Sequence, residues 1–293
     1  MSQKTLRQTE SNALTSGRVA SDKMRIWHQS VTELEALPHY AESLSRRFAA
    51  VASPGVEVVL HGVPIGTYGS SSPALALEYP RERSRVANVV LAQLEHAESE
   101  GFDAVMIASF AELALRDARA TLDIPVTSMM ESCLLAGCSV APQIGIVTIS
   151  PAGVRMLREC VDRHKLNARV IEIASLDPAF NEFDLQRAFD EPEKVRAAFE
   201  MAARRAIEAG ADIIIPGEGV LNELTVHWGI RELDHVAVMD ATAVTLTYTE
   251  MLVRAYQRSM LRTGRRWEYR KVPGDLRQVL AAPRRRPCRC VDH

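Results

Sequence analysis

Along the chain, short unbroken apolar runs alternate with stretches whose apolar residues recur at helical spacing. The runs are MRIW from Met24, VEVVLHGV from Val56, DAVMIAS from Asp103, PVTSMM from Pro125, IGIVTIS from Ile144, ARVIEIAS from Ala168, ADIIIPGE from Ala211 and HVAVMDA from His235. Runs that are continuous rather than alternating predict strands covered on both faces, as in a parallel sheet. Residues 33–52 carry Leu34, Leu37, Leu44, Phe48 and Val51 at helical spacing, and the Ser-Pro-Gly that follows ends the helix. Residues 81–100 predict a second helix closed by Gly101, and residues 242–256 a further one. GTYGSSSP from Gly66 is a Gly/Ser/Pro-rich loop of a length that usually carries function. Alternation of strand and helix in this way predicts an α/β fold.

The pattern is duplicated. EHAESEGFDAVMIAS, residues 95–109, matches RRAIEAGADIIIPGE, residues 204–218, at a constant offset of 109, with Gly101 on Gly210 and Asp103 on Asp212. LDIPVTSMMES from Leu122 resembles LDHVAVMDATA from Leu233, IGIVTIS stands for MRIWHQS, and ARVIEIAS for VEVVLHGV. Matches in one order predict two pseudo-symmetric parallel-sheet lobes with a cleft between them. The first lobe is expected to span 24–125, with a last strand and helix at 236–256 returning to it. The second is expected over 126–232. Residues 1–23 read as a polar arm, and 257–293 as an extension ending in the basic tail RRRPCRCVDH.

Composition narrows the class. The 293 residues are 47% hydrophobic and 25% charged, and 35 Lys+Arg against 37 Asp+Glu leave a formal net charge of -2. A chain so nearly neutral has no global field for nucleic acid or an anionic membrane. No apolar run reaches the roughly 20 residues that span a bilayer, and the first residues lack the apolar core of a secretory signal. The five cysteines, Cys133, Cys138, Cys160, Cys288 and Cys290, do not form a disulfide framework. A cytoplasmic location is expected. No HxH, HExxH or CxxC pattern precedes the tail, so no metal is expected, and GTYGSSS does not lead from strand directly to helix as a phosphate loop must.

In open parallel sheets ligands sit beyond the carboxyl ends of the strands. The first strands of the two halves end in Gln29, Ser30 and Thr32, and in Thr148, Ser150 and the helix-opening Pro151. Hydroxyls at helix N-termini suit a carboxylate, because free N–H groups and the helix dipole face it; capping is the compatible structural role. The third strands end in Ser109, followed by Phe110, and in Glu218, followed by Gly219 and Val220. Glu218 can act as acid or base, whereas a serine hydroxyl is too weak an acid without activation. Ser109 alternatively caps a helix beginning at Phe110. Glu131, after PVTSMM, is a further candidate for the cleft, and Glu112 and His61 are weaker ones.

On these residues the chain resembles the aspartate/glutamate racemase superfamily, and within it the hydantoin and allantoin racemase branch. The resemblance rests on FDAVMIASFAELALRDARATLDIPV, IGIVTIS, ADIIIPGEGV and HVAVMDA with the helix after it, from Met24 to about Tyr256. It implies two four-stranded parallel lobes, a site between them, no cofactor, a homo-oligomer, and two opposed cysteines that exchange a substrate proton. This chain departs from that pattern at both cysteines. Ser109 stands at the first; Glu218 stands at the second, or Gly217 if counted back from Gly219. A thiol near 8.5 is readily tuned to neutral pH and a serine hydroxyl is not, so two-thiol racemisation is unavailable at these positions.

The expected function is therefore a cofactor-independent enzyme acting on a small carboxylate or cyclic amide or ureide. Its chemistry would be one-base proton transfer or hydrolysis or lyase cleavage, with Glu218 as base and Ser109 as hydrogen-bond donor to an oxyanion. Ser30, Thr32, Thr148 and Ser150 would hold the acid or amide group. The alternatives are hydantoin-type racemisation through a non-aligned group such as Cys133, and a binding protein without catalysis.

Overall fold

The computed structural model describes residues 23–276. The expected arm, apart from Lys23, and residues 277–293, with the whole basic tail and its Cys288 and Cys290, lie outside the described residues. In the first half, β1 (Met24–Ser30) is followed by α1 (Pro38–Val51), β2 (Val56–His61), the one-turn helix α2 (Pro73–Ala76), α3 (Pro80–Leu94), β3 (Ala104–Ala108), α4 (Leu115–Thr121) and β4 (Val126–Ser128). Next come α5 (Met129–Val140), β5 (Ile144–Thr148), α6 (Pro151–His164), β6 (Val170–Ser175), α7 (Glu182–Arg187), α8 (Glu193–Glu208) and β7 (Ile213–Pro216). The fold closes with α9 (Gly219–His227), β8 (Glu232–Leu233), β9 (Val236–Val238) and α10 (Ala241–Arg258). The helix expected over 33–52 begins only at Pro38, whose ring suits a first helical position and whose predecessor Leu37 stays out of the helical region.

The strands form two sheets, ordered β2-β1-β3-β4 and β6-β5-β7-β9-β8, so the first four strands of each follow one order. All pairings are parallel except the short β8–β9 edge. The sequence repeat has a physical counterpart in each half. Gly101 and Gly210 adopt φ of 82° and 104°, values open to glycine at low cost. Asp103 accepts the N–H of Arg25 at 2.8 Å and Asp212 that of Gln143 at 3.3 Å. Each aspartate also donates its own N–H to the same residue's carbonyl, which ties the start of the third strand to the start of the first.

One expectation about the lobes is overturned. HVAVMDA does not return to the first sheet: β9 pairs with β7, Ile213 against Ala237 and Ile214 against Val238, while β4, expected to open the second lobe, pairs with β3 of the first. Equivalent strands occupy equivalent places in their own sheets. Helix α10 does cross over. It packs on β3, β4 and α1, with the Thr249 hydroxyl 2.7 Å from that of Thr127.

The two halves share one core. Ile26, Leu44, Phe48 and Met106 of the first meet Val147, Phe199, Leu221 and Leu246 of the second in a continuous buried cluster. The other face of the first sheet packs Trp27, Val105 and Ile107 against Val86, Val90 and Leu94 of α3. Burying each such large side chain stabilises by about 1.5–3 kcal/mol, so the lobes are held as one unit by apolar area. Polar ties complete the seam: Ser43 of α1 donates to Glu223 of α9 at 2.6 Å, and the Ser53 N–H to Glu250 of α10 at 3.0 Å.

Asn222, fully buried, accepts the Ala241 N–H at 2.7 Å and donates to Thr242 at 3.0 Å, fixing α9 to the start of α10. Asn222→Ala leaves that N–H buried without a partner and should lower stability by about 2 kcal/mol, read as a lower urea midpoint at unchanged slope.

Candidate active site

A cavity of about 150 Å³ lies at the carboxyl ends of the strands, between the lobes. The first half contributes Ser30, Val31 and Thr32 after β1, Ser109 and Phe110 after β3, and Ala74 and Leu77 from around α2. The second contributes Thr148, Ile149 and Ser150 after β5, Glu182 after β6, and Gly217, Glu218 and Gly219 after β7. Arg83, Arg155 and Glu159 also line it, with Arg83 3.5 Å from Glu159.

Nine expected residues thus meet at one cavity: Ser30, Thr32, Ser109, Phe110, Thr148, Ser150, Gly217, Glu218 and Gly219. Gln29, Glu131 and Val220 do not line it. Gln29 alternates with Ser30 along β1 and so faces the opposite side of the sheet, where it accepts from Trp27 Nε1 at 2.9 Å and donates to Gln93 at 3.0 Å. Glu131 is taken up by a two-pronged pair with Arg119 and by His164, 3.6 Å away. Val220 turns into the shared core beside Leu221. His61 lies flat on Trp27, ring centroids 3.4 Å apart, and is likewise absent from the lining.

Ser109 does not cap a helix starting at Phe110. The segment after it is an irregular loop in which Glu112 and Ala114 hold positive φ of 55° and 63°, and α4 starts only at Leu115. Such left-handed residues persist only when their surroundings over-determine them. Glu112 is the anchor: it accepts from Ser128 Oγ at 2.5 Å and the Glu131 N–H at 3.2 Å, and meets His164 Nε2 at 2.7 Å. The Ser109 hydroxyl, almost fully buried, accepts the Ala111 N–H at 3.2 Å. Three of the other hydroxyls are held as well. Ser30 Oγ lies 2.7 Å from Thr32 Oγ1, and Ser150 caps α6 by accepting the Gly153 N–H at 3.1 Å.

Glu218 is the N-cap of α9, accepting the Leu221 N–H at 2.7 Å, and its side chain is half-buried at the cavity wall. Burial raises its carboxyl to about 7, against the opposing pull of the Leu221, Val220 and Gly219 N–H groups. Gly217, the other residue open for the second cysteine position, has no room for a side chain. A Cβ there would stand 2.5 Å from Ile146 Cγ2 and 2.9 Å from Leu157 Cδ1, pointing into the core rather than the cavity. At Gly219 a Cβ would meet the Tyr40 hydroxyl at 2.7 Å, so Tyr40 closes over the start of α9.

Tyr40 and Glu182 are cavity residues absent from the sequence-based set. Tyr40 lies three residues after Leu37 and four before Leu44, so its spacing reads as core. Burial and then the charges of Glu218 and Glu223 hold its hydroxyl well above the ordinary range. Glu182 follows the capping Asn181, where an acidic residue reads as ordinary first-turn chemistry. Cys133 sits away from the cavity between α5 and α10, its thiol pushed up to about 12 by burial. Among the described residues no group of three or more His, Cys, Asp or Glu side chains is arranged to hold a metal ion, and no helix is long and apolar enough to cross a membrane.

Comparison with known proteins agrees with the two-sheet fold. The hydantoin racemase of Pseudomonas sp. (strain NS671) is 26% identical over 189 residues, covering 64% of this chain and 73% of that protein. The allantoin racemase of Klebsiella pneumoniae superposes with a TM-score of 0.67 at 20% identity, over 85% of this chain and 94% of that one. The allantoin racemase of Pseudomonas fluorescens does so with a TM-score of 0.67 at 21% identity, over 85% and 97%. The model of the Asp/Glu/Hydantoin racemase family matches residues 34–249, most of the chain and every residue of the cavity except those at the end of β1. This protein belongs to the Asp/Glu/hydantoin racemase family.

Proposed function

We propose that this protein is a cofactor-independent proton-transfer enzyme for a small cyclic amide or ureide, or a small carboxylate, with Glu218 as its general base. The observation that carries the reading is a carboxyl at the wall of an interlobe cavity whose proton affinity is moved up to about 7, where a base works best at neutral pH. Ser109, lining the same cavity, supplies a hydroxyl to the oxygen on which negative charge develops as the substrate C–H bond breaks. Ser30, Thr32, Thr148 and Ser150 provide neutral hydrogen-bond partners for an amide or acid group. Two cavity carboxyls, Glu218 and Glu182, favour a neutral ring over a dianion, because like charges in a desolvated space repel. The names of the relatives point the same way, since hydantoin and allantoin are cyclic ureides. A purely binding role leaves the raised carboxyl without use, and Cys133 is too remote and too weakly acidic to take its place.

The test is deuterium wash-in at the substrate α-carbon, followed by NMR, with 5-substituted hydantoins, open-chain ureides and small dicarboxylates offered to the full chain in D₂O. A hydantoin should exchange fastest, and absence of exchange in every class would overturn the proposal. Glu218→Gln keeps the cap to Leu221 and removes basicity, so the rate should fall by about 10²–10⁴-fold. Ser109→Ala should cost less, about 2–3 kcal/mol of transition-state stabilisation. The reverse ordering would indicate a serine nucleophile instead.

Because the base form is required, kcat/KM should rise with pH through about 7. Stability should show the opposite sign. The folded Glu218 binds its proton more tightly than the ordinary 4.5, so its contribution falls as pH rises from 4.5 through 7. Glu218→Gln should therefore raise Tm relative to the parent more at pH 8 than at pH 4, and calorimetry showing no such pH dependence would contradict the shift.

A further inference from the structure

Four glutamates are fully buried among the described residues: Glu112, Glu182, Glu223 and Glu250. Three have partners that account for their burial. Glu112 meets His164 at 2.7 Å, and Glu250 meets Arg254 at 3.0 Å. Glu223 is surrounded by neutral donors, Ser43 at 2.6 Å, Thr242 at 2.7 Å and Asn222 at 3.2 Å. Glu182 differs. Among the described residues no ion pair reaches it, its hydrogen bonds come from main-chain N–H groups, and it is the one of the four that lines the interlobe cavity.

Its position is set by both lobes. Glu182 opens α7 in the second half, and its Oε2 accepts the N–H of Ala74, in α2 of the first half, at 3.0 Å. That bond holds the carboxyl across the seam and into the space that Glu218 also lines. The charged and titratable groups acting on Glu182 are Glu218 from the start of α9 and Asp184 on its own helix. Tyr40 of α1 and Tyr68 of the loop before α2 feel its charge in turn. None of these is a cation; Arg83 and Arg155 line the same cavity, with Arg83 3.5 Å from Glu159.

We propose that Glu182 is the second proton-transfer group of the cavity, a carboxylic acid that delivers a proton to the substrate fragment from which Glu218 has removed one. This rests on the reading of Glu218 as the base. A buried carboxyl without a cation keeps its proton, and a second carboxylate nearby makes it keep the proton to higher pH. Burial and the charge of Glu218 raise Glu182 to about 8, so near neutral pH the pair holds about one proton, with Glu218 the first to ionise.

The step balances without any co-reactant. The Glu218 carboxylate takes the α-proton, forming an O–H bond as the C–H bond breaks, and the electron pair is delocalised onto the adjacent carbonyl. The Glu182 acid then gives its proton to that enolate, its O–H bond breaking as a new C–H bond forms. The pair is left as the opposite protonation isomer, with Glu218 protonated and Glu182 ionised. That isomer is the form needed for the reverse direction, or it resets by passing one proton across the cavity.

The experiment uses the full chain and a 5-substituted hydantoin. The parent should give a bell-shaped kcat/KM profile with limbs near 7 and 8. Glu182→Gln keeps an oxygen for the Ala74 N–H, so a role in holding the seam alone would leave rate and both limbs intact, and that result would overturn the proposal. The expected result is a fall of about 10²–10⁴-fold in product formation and loss of the alkaline limb, while exchange of deuterium into unreacted substrate persists. If Glu218→Gln is as active as the parent, the reading of the base has failed; if only Glu182→Gln is, the failure belongs to this inference. A readout independent of turnover is NMR titration of ¹³C-carboxyl glutamate in the apoprotein. Glu218→Gln should move the Glu182 midpoint down, and an unmoved midpoint would overturn the coupling even if Glu182→Gln did not fold.

Discussion

The apolar core shared by the two halves is the constraint on which the rest depends. Ile26, Phe48 and Met106 on one side and Val147, Leu221 and Leu246 on the other belong to one buried cluster, so neither sheet is free to turn relative to its counterpart. The carboxyl ends of parallel strands all lie on one side of the sheet, and locking the sheets together fixes where the loops leaving those ends meet. Ser109 and Glu218, 109 positions apart in the chain, line the same small space because of that packing and not through any bond between them. Helix α10 reinforces the seam, since the chain finishes the second sheet with β9 and then lays its last long helix over the first.

Within that space two opposing forces act on the carboxyls. The start of α9 offers Glu218 three main-chain N–H groups, an arrangement that ordinarily holds a carboxylate ionised. Burial outweighs them, and the group is left near the middle of the physiological range. The same balance at Glu182 tips further, because its main-chain donors are opposed by burial and by Glu218 together. Elsewhere acids are held by side-chain partners: Glu131 by Arg119, Glu112 by His164, Glu250 by Arg254, and Glu223 by Ser43, Thr242 and Asn222. In the cavity Glu218 and Glu182 are held by main-chain N–H groups, while Arg83 on the same wall lies beside Glu159, and perturbed groups of that kind concentrate where chemistry is done.

The loop that carries Ser109 illustrates how distant parts of the structure serve the cavity. Its left-handed residues, Glu112 and Ala114, are unfavourable in isolation and are held by Ser128, by the Glu131 N–H and by His164 from the far end of α6. Cys160, also on α6, adds a contact from its sulfur to the Ala111 carbonyl at 3.7 Å. The second lobe thus fixes the first lobe's loop, and the position of the Ser109 hydroxyl is a property of both.

Much of the fold was legible in the chain itself. Period and continuity of the apolar runs specify parallel strands and covering helices, because both follow from local geometry and burial. The repeat specifies two equivalent halves, down to Gly101 and Gly210 at positive φ and Asp103 and Asp212 closing their sheets. Strand-end chemistry then picks out Ser30, Ser109, Thr148, Ser150 and Glu218, since the ends of parallel strands converge whatever the details. Three things required the tertiary structure. The sheet joined by β9 depends on its pairing with β7, Ile214 against Val238, and the apolar pattern of a strand does not encode its partner. The faces of Gln29 and Glu131 depend on strand phase and on Arg119 and His164, which are remote in sequence. Glu182 and Tyr40 became cavity residues only through the meeting of the lobes. In sequence one is an ordinary first-turn acid and the other an ordinary core aromatic, and Glu218, whose charge acts on both, lies 36 residues from the first and 178 from the second.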